Sequence, residues 1–104
     1  MSNQIALTIA QQLGGIPRLK LMTGAYNFST SGNDLVFRIK NRSINAVQII
    51  LDYDDTYIVR FMRVHGSKIT EKKHFGIYCD MLVDLFESET GMTLHIPQII
   101  GINA

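Results

Sequence analysis

Between residues 35 and 65 the sequence repeats a two-residue apolar alternation three times, with turn-forming residues in between. No other feature narrows the fold as much, because a period of two places alternate side chains on opposite faces of a strand. In 35–40, Leu35, Phe37 and Ile39 alternate with Val36, Arg38 and Lys40. In 46–52, Val47, Ile49 and Leu51 alternate with Ala46, Gln48 and Ile50, and in 56–65, Tyr57, Val59 and Phe61 alternate with Thr56, Ile58, Arg60 and Met62. Asn41, Ser43 and Asn45, then Asp52, Asp54 and Asp55, supply turn chemistry between the runs. Gaps this short join antiparallel neighbours.

Helical patterns flank the strands. Ile5, Ile9 and Leu13 recur four apart over residues 2–13, and Gly14, Gly15 and Pro17 end that helix. Over 76–90, Tyr78, Met81, Leu82, Leu85 and Phe86 form an apolar stripe, closed by Gly91. Residues 18–23 read as a further strand, with Leu19 and Leu21 opposite Arg18, Lys20 and Met22. A polar loop from Gly24 to Asp34 follows, whose Tyr26 and Phe28 are expected to fold back on the core. Residues 68–74 suit a short edge strand guarded by lysines, and 92–96 a last short strand. The expected fold is α+β: a four- to five-stranded antiparallel meander with an N-terminal and a C-terminal helix, in the order α-β-β-β-β-α. A length of 104 residues fits one domain, 1–104, with an apolar tail at 97–104.

Charge is uneven. The net +1 divides into +5 through Lys73 and −4 in residues 74–104. The ordinary reading is a dipolar fold; the sharper one is a basic working face. Arg18, Lys20, Arg38, Lys40 and Arg60 all fall on the strand face turned away from the main apolar stripe, and they are the candidate partner-binding residues. That face also carries Val36, Ile50, Ile58 and Met62, too many apolar residues for a solvated surface. With Ile99 and Ile100 of the tail, these residues are candidates for a homodimer contact or for docking of the tail. The strand aromatics Phe37, Tyr57 and Phe61 point the other way, leaving Tyr26 and Tyr53 as the free rings. Base stacking is therefore poorly served, and only weak, non-specific nucleic-acid binding is expected.

Nothing in the sequence assembles a reaction centre. His65, His74 and His95 lack the spacing of a metal site, and Cys79 has no cysteine partner. Cys79 reads as a small hydrophobe near the core rather than an activated thiolate. Asp52, Asp54 and Asp55 lack the glycine and distal glutamate of a calcium loop and read as a solvated turn. Asp80 and Asp84 share an exposed helix face where nothing would separate their pKa values. Phosphate-binding and dinucleotide fingerprints are missing, so no catalytic residue, metal or cofactor is expected. A lone cysteine indicates a reducing compartment. No basic, apolar leader opens the chain, and no run approaches a membrane span, so a cytoplasmic setting is expected.

Several segments together resemble a known group. They are Met22-Thr23-Gly24-Ala25-Tyr26-Asn27-Phe28, Leu35-Val36-Phe37, Asn45-Ala46-Val47-Gln48-Ile49, Asp55-Thr56-Tyr57-Ile58-Val59-Arg60-Phe61, and Gly76-Ile77-Tyr78 through Leu82 and Phe86-Glu87 to Thr90-Gly91. This series resembles small uncharacterised proteins carried by bacteriophages and other mobile elements, over roughly residues 12 to 94. The tail after Ile96 departs from the pattern. The shared residues are structural: turn glycines, core aromatics and a helix cap. The resemblance implies an accessory protein in the cytoplasm of a bacterial host, and in that setting small domains often inhibit or redirect host proteins, including CRISPR-type defence nucleases. A non-enzymatic protein that binds and inhibits or redirects a host protein is the leading expectation; a nucleic-acid-binding accessory protein using the basic strand face is the alternative.

Overall fold

The computed structural model describes residues 4–94. Within them the order is α1 (Gln4–Gln12), α2 (Ile16–Thr23), β1 (Tyr26–Ser29), β2 (Asp34–Arg38), β3 (Ala46–Leu51), β4 (Tyr57–His65), β5 (Lys68–Ile77), a 3-10 turn (Cys79–Met81) and α3 (Leu82–Thr90). The strands form one antiparallel sheet in the order β1-β2-β3-β4-β5, the meander that short connections favour. The fold is α+β with N- and C-terminal helices. Among the described residues no helix is long and apolar enough to cross a membrane.

The core lies on one face of the sheet. Leu35, Phe37, Val47, Ile49, Val59 and Phe61 are buried there, against Ile9 and Leu13 of the N-terminal region, Leu19 of α2, and Leu82 and Phe86 of α3. Phe86 sits between two strand aromatics, with ring centroids 6.3 Å from Phe37 and 6.4 Å from Phe61. Asn41 Nδ2 donates to the Thr90 carbonyl over 2.8 Å and ties the β2–β3 loop to the end of α3. Gly91 closes that helix in the left-handed conformation, its N–H donating to the Glu87 carbonyl.

Four sequence expectations are corrected. Residues 16–23 are a helix, not a strand: Pro17 lies in its first turn, where a missing N–H costs nothing, and Leu19 and Thr23, four apart, are its buried residues. Leu21, which a strand would have placed beside Leu19, is 82% exposed. The expected loop contains β1, paired with β2, and Phe28 does fold back, stacking on Phe37 at 5.5 Å. The edge strand β5 runs on to Ile77, so the last helix begins only after the turn at Cys79–Met81. In consequence Tyr78 and Met81 are exposed rather than core, and so is Cys79. Residues 92–94 form no strand; residues 95 and 96 of that expected strand, and the tail with Ile99 and Ile100, lie outside the described residues.

Candidate interaction surface

Among the described residues, all the helices that contribute to the core pack on one side of the sheet, and strand alternation sends the other set of side chains to the opposite side. Register fixes the rows on that open face. Asp34, Ile50 and Ile58 stand side by side across β2, β3 and β4. Val36, Gln48, Arg60 and Lys73 make the next row, and Arg38, Ala46, Met62 and Glu71 the one after. Val36, Ile50, Ile58 and Met62 are half-buried, yet none joins the buried cluster of the described residues or packs against it.

A chain of hydrogen bonds crosses this face. The Asp34 carboxylate accepts from the Ser31 N–H at 2.7 Å and from Gln48 Nε2 at 2.7 Å. Gln48 Oε1 in turn accepts from Arg60 Nη1. Arg60 then donates two parallel bonds to Glu71, from Nε at 2.9 Å and Nη2 at 3.1 Å. The ribbon thus runs from the β1–β2 loop to β5, with apolar side chains on either side. Burial pushes the Asp34 carboxyl up, but its donors outweigh that and hold it below the usual carboxylate range. The Arg60 guanidinium does the same for Glu71.

The five basic residues expected to share one face do not assemble. Arg18 and Lys20 lie on α2, in the helix layer, and the Arg18 side chain lies across Gly14. Lys40 lies beyond β2 against Gly24, at the end of α2. Only Arg38 and Arg60 stand on the open face; Arg38 Nε donates to the Asn45 carbonyl at 2.9 Å, and Arg60 is bound to Glu71. Misreading α2 as a strand caused the error at Arg18 and Lys20, since helical residues do not follow the two-residue alternation, while Lys40 lies past the end of β2.

Sequence reasoning missed the exposed apolar residues of β5. Phe75 is 66% exposed, with Lys73 Nζ 5.8 Å from its ring centre, and Ile69 is 62% exposed. The alternation Ile69, Glu71, Lys73, Phe75 was the available signal. On the helix side of the same strand, Lys72 Nζ lies 3.2 Å and His74 Nε2 lies 3.3 Å from the Glu89 carboxylate.

The candidate chemical groups stay apart. Asp54 Oδ1 accepts from Thr56 Oγ1 at 2.5 Å, which shapes the β3–β4 turn and holds the Asp54 carboxyl low. Among the described residues no group of three or more His, Cys, Asp or Glu side chains is placed to hold a metal. Comparison with protein-family models, curated proteins and solved structures gives no match.

Proposed function

We propose that this chain is a non-enzymatic binding protein that uses its open sheet face to cover a functional surface on a host protein. The observation that carries this reading is the face itself. Val36, Ile50, Ile58 and Met62 flank a ribbon in which Asp34, Gln48, Arg60 and Glu71 already satisfy one another. A partner that dries such a surface gains apolar contact without stranding those polar groups. The resemblance to phage and mobile-element proteins supports the setting, an accessory protein in the cytoplasm of a bacterial host. It also supports the class of target, a defence nuclease complex of the CRISPR type.

The test is capture from host lysate by the immobilised chain, with variants that divide the surface. Wild type and Tyr53→Ser, changed at an exposed turn residue, should retain the same defined protein. Ile58→Asp and Met62→Asp should lose it. Retention that ignores both face substitutions refutes the reading. A nucleic acid held by the chain at about 200 mM salt would replace it with the nucleic-acid alternative, because backbone-driven binding weakens steeply with salt.

A further inference from the structure

The two edges of the sheet are finished differently. The outer strand β1 is four residues long and irregular, with Asn27 at φ 55° and a shifted register against β2. Short, bulged edges resist pairing with other chains. The opposite edge, β5, is ten residues long, and its register with β4 runs unbroken from Lys68 to His74. Its irregularity comes only beyond His74, where the register shifts before Ile77 and Gly76 stands at φ 66°.

From this edge we infer that the chain forms a two-fold dimer in which β5 pairs antiparallel with β5 of a second copy, Lys72 opposite Lys72. The β4–β5 hairpin closes through Gly66 and Ser67, with His65 opposite Lys68 and Gly66 at φ 62°. In a two-residue hairpin the closing pair exchanges both of its hydrogen bonds, and bonded pairs then alternate along the ladder. Residues 68, 70, 72 and 74 therefore turn their backbone groups toward β4. Residues 69, 71 and 73 turn theirs outward, where a second strand can bond them.

Charge then selects the register. With Lys72 on the two-fold axis, Glu71 stands opposite Lys73 of the second copy and Lys73 opposite its Glu71. Ile69 meets Phe75 at both ends, so the two exposed apolar residues of this edge cover each other. Shifting the axis to Glu71 sets carboxylate against carboxylate, and shifting it to Lys73 sets ammonium against ammonium. Opposite charges facing across a ladder stabilise it and like charges oppose it. The one like-charged pair that remains, Lys72 against Lys72, lies on the helix side, where each ammonium is 3.2 Å from Glu89 of its own chain. The result is one continuous sheet across both copies, with both open faces on the same side. This inference does not depend on the proposed host partner.

Light scattering on the purified 104-residue chain should give twice the 11.7 kDa chain mass. Glu71→Lys and Lys73→Glu should each weaken the dimer by at least about tenfold, since each turns two attractive pairs into repulsive ones. The double exchange Glu71→Lys/Lys73→Glu should restore it, because the pairs become attractive again. Arg60 also keeps a carboxylate beside it in the double exchange, since it stands opposite position 73 in the β4–β5 ladder. Rescue by the double exchange thus separates lost pairing from lost folding. In a Cys79→Ser background, Lys72→Cys should cross-link on mild oxidation, and cysteines at 71 or 73 should do so less. A wild-type monomer at the highest soluble concentration, a dimer indifferent to both single exchanges, or no cross-link at 72 would each overturn the inference.

Discussion

The two faces of the sheet use the same strands to opposite ends. On the covered face, Phe37, Val47, Ile49, Val59 and Phe61 are all buried against helices. On the open face, the intervening residues are half-buried apolar side chains around a hydrogen-bonded polar ribbon. Alternation puts the two sets one residue apart in sequence, so backbone, register and strand length are common to both. What differs is the partner supplied from elsewhere in the chain. Stability should therefore be concentrated on one face and freedom to bind on the other.

The sharpest test of that division is truncation on the covered face. Phe86→Ala and Leu82→Ala should each cost about 2–5 kcal/mol in urea unfolding, because both side chains are fully buried and leave cavities. Tyr78→Ala and Met81→Ala should change stability by less than about 0.5 kcal/mol, as exposed residues usually do. Equal costs at Tyr78 and Leu82 would show that the helix packs through the whole sequence stripe.

That pair of outcomes also marks how far the sequence could be read. The meander, the covered-face residues and the terminal helices were legible, because three alternating runs with short turns leave few arrangements. The candidate surface was legible at Val36, Ile50, Ile58 and Met62, which follow from the same alternation. It failed at Arg18 and Lys20, where Leu19 and Leu21 mimic a strand over a stretch too short to show a helical period. Pro17 bars α1 from continuing, but it equally suits the first turn of a new helix, and its presence alone does not separate the two. Tyr78 and Met81 fit a helical stripe by spacing, but β5 continues to Ile77 and only a 3-10 turn separates it from α3. The edge strand was legible at 68–74, but it runs on to Ile77, and the outward Ile69 and Phe75 were missed although they alternate with Glu71 and Lys73.

A smaller effect is expected from the ribbon on the open face. Asp34 is only 2% exposed, and its removal would leave the Ser31 N–H and Gln48 Nε2 without their acceptor. Asp34→Ala should cost about 1–3 kcal/mol. The pH dependence has a definite sign. Burial raises the carboxyl, but the bonds from Ser31, Gln48 and Thr30 lower it by more, so the folded value lies below the ordinary 3.8. The folded state then holds its proton less tightly than the unfolded state. The contribution is present above pH 3.8 and is lost as the pH falls through the folded value. Stability curves of wild type and Asp34→Asn should converge below pH 3.8, and curves that stay parallel there would remove Asp34 from the acid sensitivity.

A smaller effect than that of Asp34 should come from the apolar part of the open face. Ile58 faces Ile50 across the β3–β4 ladder, and both are half-buried. Ile58→Thr keeps a branched side chain suited to a strand and removes only part of a contact that solvent already reaches. Urea unfolding of this variant should show a loss under about 1 kcal/mol, because no cavity is sealed inside the molecule. The same substitution should weaken capture of the host protein, where the hydroxyl must be dried against an apolar partner. A stability loss as large as that of Leu82→Ala would mean that the open face is covered in the free protein in solution. The division between the two faces would then fail, and with it the surface on which the proposed function rests.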